Sequence, residues 1–321
     1  MRARMRARFR VLRSWFCFGI GMWRLSSRKR RAAFEGGFTT QYCCVLRFCI
    51  GRCGPGTAPL TADPPHATTP GMAAYDFTAP RLFVEADLAA GATLPLDRSQ
   101  ANYLLNVLRR GPSDPVLLFN GRDGEWRAEI APTGRKSADL IVRERTRQQP
   151  PRADLHYLFA PLKSARLDYM AQKAVEMGAG TLRPVFTRYT QGERLNVDRL
   201  RANAIEAAEQ CGILDLPEIQ EAAKLPAALS DLNPLRLLVF CDEDAPVSDP
   251  VRALREAAAS TVAPPLAVLV GPEGGFAPEE RALILERPNT VALSLGPRIL
   301  RADTAAVTVL ALIQAVLGDA R

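Results

Sequence analysis

The chain has 321 residues, of which 47% are hydrophobic, so it is long enough to form two domains with separate cores. Its net charge of +8 is carried by the first 71 residues, which contain 13 Lys and Arg but only two acidic residues. The rest of the chain contains 29 basic and 32 acidic residues, which excludes a uniformly basic protein and leaves room only for a local nucleic-acid-binding patch.

Residues 1–71 form a segment of unusual composition. They begin with an Arg-rich repeat, contain a mostly apolar run over 14–23 and end in sequence rich in Pro, Thr and Gly. The apolar run is shorter than the roughly 20 residues of a membrane-spanning helix, and no small-residue cleavage site follows it directly. We interpret 1–71 as a basic, Cys-containing leader that is a disordered or transit-type tail, or an upstream start that overextends the protein.

Cysteine and histidine are poorly placed for metal or nucleophilic chemistry. Five of the seven cysteines lie in the leader, without a Cys-x-x-Cys pair that would indicate zinc. The isolated Cys211 and Cys241 are typical of a reduced, cytoplasmic protein. The two histidines are His66 in the leader and His156 at the start of a strand, so Ser-His-Asp and Cys-His sites are disfavoured. We expect no metal.

The first folded segment, residues 72–147, has the pattern of a small all-β domain. Short strands are predicted between Gly-containing turns, and they lie at Arg81–Val84, Val116–Phe119, Glu125–Ile130 and Ala138–Val142. A helix is predicted at Ser99–Arg109. Strands of this length and spacing are typical of a small β-barrel. Gln148–Arg152, which contains two prolines, is the predicted linker to the next domain.

From about residue 153 the pattern changes to alternating strands and helices. The predicted strands are Leu155–Pro161, Thr181–Phe186, Leu235–Cys241, Pro265–Val270 and Thr290–Leu295, and the predicted helices are Leu167–Met177, Val197–Cys211, Asp249–Ala258, Pro278–Glu286 and Asp303–Leu317. This alternation predicts an α/β fold with a parallel sheet covered by helices on both faces. Ligands bind such sheets at the carboxyl ends of the strands.

The first notable loop, 271–276, reads Gly-Pro-Glu-Gly-Gly-Phe and follows an apolar strand. A plain strand-to-helix turn needs one glycine, whereas this loop has three together with a proline and an acid. We therefore interpret it as a ligand-binding loop. It lacks both the G-x-G-x-x-G dinucleotide pattern and the lysine of a phosphate loop, so it belongs to neither class.

The second loop follows the next strand and reads Gly-Pro-Arg-Ile-Leu-Arg over 296–301. Asp303 and Thr304 come next, and either could be a helix N-cap and nothing more. Arg301 precedes the helix N-terminus, where a cation is unfavourable for the helix dipole. Its position suggests a different role, such as contact with a phosphate or a base edge.

A basic edge is predicted near the helix Leu167–Met177. Lys163 and Arg166 follow the preceding strand, and they are either phosphate ligands or solvated charges. Lys173 and Glu176 have the spacing of a surface ion pair. Gly212 at the end of the following helix is the expected C-terminal cap.

These motifs resemble those of the trefoil-knotted SPOUT methyltransferases, and among them the RsmE family of 16S ribosomal RNA uridine N3-methyltransferases. The resemblance is carried by 269–276 and 293–306, which contain the two loops in order. Supporting matches are Gln172-Lys173-x-x-Glu176-x-Gly178, Glu209-Gln210-Cys211-Gly212 and Pro80-Arg81-Leu82-Phe83. The resemblance covers about residues 75–320 and excludes the leader. Asp303 stands where the family is expected to have a glutamate.

The resemblance implies a PUA-like RNA-binding barrel over 72–147 and a trefoil-knotted SPOUT methyltransferase domain over 148–321. It further implies a homodimer, S-adenosylmethionine as cofactor and 16S rRNA of the small ribosomal subunit as partner, with no metal and no membrane. The implied cofactor site consists of residues from both loops: Val270, Gly271, Pro272, Glu273, Gly274, Gly275, Leu295, Gly296, Ile299, Leu300, Thr304 and Ala305. The implied RNA contacts are Arg81, Lys163, Arg166, Lys173 and Arg298.

Methyl transfer from a sulfonium needs a nucleophile that is close and in line, and it needs no metal. Because uracil N3 carries a proton, we expect Arg301 to stabilise negative charge on the uracil oxygens, and Asp303 is a candidate proton acceptor. Two alternatives stay open at this point. One is a knotted RNA methyltransferase with another target base or position, and the other is a non-catalytic ribosome-assembly factor that keeps the fold.

Overall fold

The computed structural model describes residues 78–134, 137–191, 195–246, 249–259 and 265–318. All of them belong to one compact unit that spans 68–321. The predicted leader, with its apolar run and five cysteines, lies outside the described residues.

The small domain is a five-stranded sheet with the order β1-β3-β4-β5-β2. Its elements are β1 (Arg81–Phe83), β2 (Thr93–Pro95), α1 (Arg98–Asn102), a π-helical turn (Tyr103–Val107), β3 (Pro115–Phe119), β4 (Glu125–Gly134) and β5 (Ser137–Arg147). β1 pairs parallel with β3, and the other pairs are antiparallel. Among the described residues no β1–β2 ladder joins the two ends of this order, so the predicted small β-barrel is not closed by hydrogen bonds.

The sheet of the small domain encloses one apolar core, to which Leu82, Leu104, Leu118 and Leu140 contribute fully or nearly fully buried side chains. The predicted helix is shorter than expected, because Arg109 adopts a φ of +53° that no α-helix accommodates. Strand β2 was missed because it has only three residues and exposes the first and last of them.

The large domain contains a parallel sheet in the order β12-β10-β11-β6-β7-β8, with β9 also pairing parallel with β7. Its elements are β6 (Leu155–Phe159), α2 (Ser164–Glu176), β7 (Thr181–Phe186), α3 (Val197–Cys211), β8 (Glu218–Ile219), β9 (Ala223–Lys224), α4 (Leu225–Asp231), β10 (Leu237–Cys241), α5 (Pro250–Ala258), β11 (Leu266–Val270), α6 (Pro278–Glu286), β12 (Thr290–Leu293) and α7 (Ala302–Val316). None of the helices in the described part of the chain is long and apolar enough to cross a membrane.

Both faces of the parallel sheet are covered by helices, as predicted. In β6, Tyr157 and Phe159 face a core shared with α2, α3, α5 and α7, whereas Leu158 faces a second core shared with α4 and α6. The same alternation in β10 and β11 explains why these strands are almost continuously apolar. The two cores fix the strands in register and hold their carboxyl ends at one edge of the sheet.

The small sheet packs directly against helix α3. Phe83 and Phe119 form an edge-to-face pair with ring centroids 5.8 Å apart, and Phe119 joins Ala208 and Leu214 in a separate apolar cluster. The backbone N–H of Phe83 donates to the Glu209 carboxylate at 2.8 Å. Burial raises the pKa of Glu209, and this hydrogen bond from Phe83 opposes the shift.

Glu125 holds the centre of this junction. Its carboxylate accepts hydrogen bonds from Arg81 Nε at 3.1 Å and Arg147 Nη2 at 2.6 Å, and Arg147 also donates to the Gly212 carbonyl at 2.8 Å. Burial raises the pKa of Glu125, but the bonds from Arg147, Thr146 and Arg81 outweigh it, so the pKa lies below its usual value. Arg81 was predicted to contact RNA, and this prediction is wrong because its side chain is only 7% exposed and is bound to Glu125.

We expect Glu125→Gln to destabilise the protein by about 3 kcal/mol, because it removes the buried negative charge to which the guanidinium groups of Arg81 and Arg147 donate. Urea unfolding at pH 7, followed by circular dichroism, measures this difference in the free energy of unfolding. Glu144→Gln is the matched control, since its ion pair with Arg127 is exposed and should contribute at most about 1 kcal/mol.

The difference between wild type and Glu125→Gln also has a predicted pH dependence. Because the folded-state pKa of Glu125 is depressed, its stabilisation is fully present above the pKa of the unfolded chain and is lost as pH falls through the folded-state value. The two proteins should therefore converge in stability as the pH is lowered. A difference that stays constant would contradict the assignment to the ionised carboxylate.

Candidate functional site

The glycine loop, defined as 271–276, is shaped by the ring of Phe276. A Cβ atom placed on Gly271 would lie 2.4 Å from Phe276 Cε2, so only glycine allows this ring to fold back over the end of β11. Phe276 is held in turn by Phe240, with ring centroids 5.1 Å apart. Gly275 has a φ of +69°, and its N–H donates to the Pro272 carbonyl at 3.0 Å, which closes the turn.

The second loop, defined as 294–301, leads from β12 to α7. Gly296 has a φ of +111°, a conformation that L-residues rarely adopt, so the chain reverses there. Arg301 is the N-cap of α7, and its carbonyl accepts from the Ala305 N–H at 2.8 Å. The prediction that Asp303 or Thr304 caps this helix is wrong, because the helix begins at Ala302 and Asp303 lies in its first turn.

A third loop, defined as 242–245, completes the site and was missed in the sequence. It follows β10, which lies between β11 and β12 in the sheet. The N–H of Asp242 donates to the Leu293 carbonyl at 3.0 Å, and the Asp242 carboxylate is buried against Arg281, with oxygen–nitrogen distances of 2.8–2.9 Å. The signal in the sequence was the acidic run Asp242-Glu243-Asp244 directly after an apolar strand, but its proximity to the other loops depends on the strand order.

These three loops line one cleft at the carboxyl ends of β10, β11 and β12. The residues of the predicted cofactor site that line it are Val270, Gly271, Pro272, Glu273, Gly274, Gly275, Leu295, Gly296, Ile299, Leu300 and Ala305. The lining residues that sequence reasoning did not assign are Cys241, Asp242, Glu243, Asp244, Phe276, Arg281, Leu293, Ser294 and Ala302. The parallel sheet thus brings together segments that are about 60 residues apart in sequence.

Three of the predicted site residues, Arg301, Asp303 and Thr304, lie beside the cleft rather than in its wall, and Asp303 is half-buried. Thr304 is exposed, and its N–H donates to the Asp303 carboxylate at 2.9 Å. Arg301 is exposed between Leu300 and Ala302, which both line the cleft. Arg301 can therefore reach a molecule at the mouth of the cleft, whereas Thr304 makes no contribution to its wall.

The other predicted RNA-contacting residues occupy two different positions. Arg298 lines the cleft and is exposed. Lys163 is exposed at the N-terminus of α2, and Arg166 one turn later forms an ion pair with Glu273 of the glycine loop. Lys173 is bound to Glu176 at 2.7 Å, which is the surface pair that its spacing suggested. The structure therefore brings Arg298 and Arg166 to the cleft, but not Lys173.

The groups around the cleft do not form an activated nucleophile. Burial raises the pKa of the Cys241 thiol to about 12, so this lining residue is protonated and unreactive at neutral pH. Burial also raises the pKa of Cys211, and burial lowers that of His156, which lies in β6 away from the cleft lining. The described residues contain no cluster of His, Cys, Asp and Glu that could hold a metal ion.

The charge of the cleft favours a cationic ligand. Its acids are Asp242, Glu243, Asp244 and Glu273, and its bases are Arg281 and Arg298. Asp242 is neutralised by Arg281 and Glu273 by Arg166, so the acids Glu243 and Asp244 and the base Arg298 remain without an ion-pair partner among the described residues, which leaves the lining net negative. A ligand that combines polar groups with a positive charge fits this lining, and the open main chain of three loops can supply hydrogen bonds to it.

Two family models match the chain. The model described as "RNA methyltransferase domain" matches residues 148–314, which is more than half of the chain and includes all three loops. The model described as "RNA methyltransferase PUA domain" matches residues 96–143 in the small sheet.

Curated relatives match over most of their length. The ribosomal RNA small subunit methyltransferase E of Rickettsia conorii is 30% identical over 240 residues, which cover 74% of this chain and 96% of that protein. The enzyme of the same name from Synechocystis is 27% identical, with coverage of 74% of this chain and 78% of that protein.

Solved structures show the same arrangement of the chain. A Legionella pneumophila methyltransferase in complex with the bound cofactor SAM superposes with a TM-score of 0.61 at 26% identity, and covers 74% of this chain and 97% of that one. A ribosomal RNA small subunit methyltransferase E from Neisseria gonorrhoeae, bound to S-adenosylmethionine, superposes with a TM-score of 0.63 at 24% identity. The superposition covers 75% of this chain and 99% of that one.

We expect Gly271→Ala to destabilise the protein by about 1–3 kcal/mol, because the added methyl group must displace the Phe276 ring from its place beside Phe240. Chemical denaturation measures the change. Gly111→Ala is the control, since a Cβ there meets nothing closer than 3.9 Å. Equal effects of the two substitutions would contradict the packing described for the glycine loop.

Proposed function

Because the chain belongs to the RNA methyltransferase family that includes the ribosomal RNA small subunit methyltransferases E, we propose that it methylates N3 of one uridine in 16S rRNA with S-adenosylmethionine as methyl donor. It is an S-adenosylmethionine-dependent rRNA methyltransferase. The observation that carries the proposal is the cleft formed by the three loops at the ends of β10, β11 and β12.

The residues of the cleft fit this cofactor. S-adenosylmethionine carries a sulfonium and an ammonium group, and the unpaired acids Glu243 and Asp244 provide negative charge beside them. Glu243 Oε1 lies 3.7 Å from the position that a Cβ of Gly275 would occupy, so its carboxylate stands directly over the glycine loop. Gly274 and Gly275 carry no side chain, which leaves their main-chain groups accessible to an adenine and a ribose, whereas at Gly271 the place of a side chain is taken by the Phe276 ring.

When bound, S-adenosylmethionine supplies a methyl group that is activated by the positive sulfur. The protein contributes placement and charge. Leu295, Ile299 and Leu300 add apolar side chains to the lining of the cleft. Ile299 is 87% exposed, which is unusual for so large an apolar side chain and is consistent with a partner or substrate over the second loop.

Arg301 and Asp303 are proposed to act on the uridine. Arg301 extends from the N-cap of α7 at the rim of the cleft, where its guanidinium can donate to the uracil oxygens and favour the N3 anion. Asp303 in the first turn of α7 is the candidate that accepts the N3 proton. Arg298 at the cleft and Lys163 and Arg166 beside it are proposed to contact the phosphate groups of the RNA.

Several broader features are proposals that rest on the family. They are a trefoil knot in the large domain, a homodimer, the cytoplasm as the site of action, and a domain division at 72–147 and 148–321. The boundaries are supported by the end of β5 at Arg147 and the start of β6 at Leu155. The exposed Ile299 of the second loop is a natural contact for a second subunit.

The function is tested by nucleotide mapping. Purified protein is incubated with small ribosomal subunits from a strain that lacks the gene, and the 16S rRNA is digested and analysed by mass spectrometry. We expect one methyl group on a single uridine, located at N3. Methylation of another base or position would replace the proposed target, and cofactor binding without any methylation would indicate an assembly factor that keeps the fold.

Arg301→Ala should lower kcat by on the order of 10²–10³, because it removes a donor that acts on negative charge at the uracil oxygens in the transition state. Single-turnover methylation of small subunits measures the loss, and calorimetry with S-adenosylmethionine tests whether the cleft is intact. Arg255→Ala, an exposed arginine on α5, is the matched control and should retain the wild-type rate. A parental rate in Arg301→Ala would refute the role.

Glu243→Gln should weaken binding of S-adenosylmethionine about threefold to tenfold, since it removes negative charge next to the glycine loop. The loss should decrease as salt is added, because the interaction is electrostatic. Isothermal calorimetry at two salt concentrations provides both measurements. Glu286→Gln, at the exposed end of α6, is the control that removes an equal charge away from the cleft.

A further inference from the structure

Two clefts that lie outside the methyltransferase site share one arginine. The first is lined by residues of the small sheet, of α3 and of β8, including Arg122, Arg152 and Arg201. The second lies on the small domain and includes Arg122, Trp126 and Arg145. Since Arg122 lines both, the two clefts adjoin at this residue. We define Arg122, Trp126, Arg145, Arg152 and Arg201 as the arginine–tryptophan surface.

The first cleft combines apolar and charged side chains. Val197 and Ile205 of α3 line it, and Val197 is 44% exposed although it is apolar. Its three arginines outnumber the two acids of the lining, Glu85 and Glu218. Arg201, one turn after Val197, is exposed and forms no ion pair with any described residue. An apolar surface beside such a cation is suited to a nucleoside with its phosphate.

Two arginines of this cleft, Arg122 and Arg152, already form ion pairs at the protein surface. Arg122 pairs with Asp87, and the two side chains are 53% and 93% exposed. Arg152 pairs with Glu218, with both side chains 53% exposed, and also with the more buried Asp215 at 3.6 Å. An ion pair as exposed as Arg122–Asp87 contributes at most about 1 kcal/mol, so a phosphate group can replace the carboxylate at Arg122 at little cost.

The second cleft provides a surface for stacking. The Arg145 guanidinium carbon lies 6.0 Å from the centre of the Trp126 ring, and Trp126 Nε1 donates to the Asp123 carbonyl at 3.0 Å. The hydrogen bond fixes the indole. The half-buried Trp126 ring and the exposed Arg145 guanidinium are planar groups on which a base can stack. Aromatic rings interleaved with arginines are the combination that binds single-stranded RNA.

We infer that the arginine–tryptophan surface binds a single-stranded segment of the RNA substrate, with phosphates at Arg122 and Arg201 and a base stacked at Trp126 and Arg145. This inference rests on the proposed function and names the surface that holds the RNA away from the reaction centre. The β8 edge, where the first cleft lies, is at the opposite end of the strand order from β12, β10 and β11.

The junction between the two domains keeps this surface in shape. Phe83 also lines the first cleft, and its N–H is bound to Glu209 of α3. Both walls of the cleft are therefore fixed before RNA arrives, which lowers the entropic cost of binding.

The test is the double variant Arg122→Ala/Arg201→Ala in the full chain. Filter binding measures the affinity of the variant and of wild type for unmodified 16S rRNA transcript. The KCl concentration is varied from about 50 to 300 mM, because salt screens phosphate contacts over roughly this range. We expect affinity to fall on the order of tenfold at low salt, and the slope of log K against log salt to decrease by about 2, one for each lost phosphate contact. Arg255→Ala should change neither quantity.

The outcomes separate this inference from the proposed function. If wild type neither binds nor methylates 16S rRNA, the proposed function fails. If wild type does both and the double variant matches it in affinity and slope, the RNA surface is wrong and the function stands. A double variant with unchanged affinity for naked rRNA but weaker binding to small subunits would overturn the RNA contact in favour of a ribosomal protein. Calorimetry with S-adenosylmethionine verifies that each variant is folded.

Tryptophan fluorescence tests the stacking independently. Titration of wild type with single-stranded RNA oligonucleotide should quench its emission, and Trp126→Phe should lose most of the quenching while it keeps S-adenosylmethionine binding. The chain has three tryptophans, so the comparison isolates the contribution of Trp126. Quenching of equal amplitude in both proteins would exclude Trp126 from the contact.

Discussion

The function of this protein depends on one constraint: the neighbouring strands β12, β10 and β11 are parallel, so their carboxyl ends meet at one edge. Main-chain hydrogen bonds across the sheet, such as Asp242 to Leu293, carry this alignment into the loops. None of the three loops could enclose a ligand alone. The apolar cores on both faces of the sheet hold the strands in register, and the stability of these cores is therefore what preserves the cleft.

A second constraint joins the small sheet to the large one. The buried group Arg81–Glu125–Arg147 and the contact of Phe119 with α3 connect the small sheet to the part of the chain that forms the three-loop cleft. Burying these charges is costly, and the geometry satisfies them with several hydrogen bonds. The arginines at this junction belong to two groups. Those bound to Glu125 maintain the structure, whereas the exposed Arg122 and Arg201 are the ones that we propose to contact RNA.

Much of the large domain could be predicted from the sequence, because its signals are local. The helices Val197–Cys211 and Pro278–Glu286 match the predicted bounds, since an N-cap and αL glycine fix the first and a proline with two acids fixes the start of the second. The 242–245 loop was missed because strand order is a property of the whole fold. Arg81 was misassigned because an isolated arginine in sequence does not show the carboxylate, 44 residues away, that binds it.

The contact between Gly271 and Phe276 has a consequence for how the glycine loop can evolve. With the Phe276 ring over the backbone, a larger residue at 271 is compatible with the loop only if residue 276 becomes smaller. The two positions are thus expected to change as a pair in descendants of this sequence. Part of the glycine content of the loop is therefore required by its own packing, whatever molecule the cleft holds, and a count of invariant glycines would overstate how many of them serve the ligand.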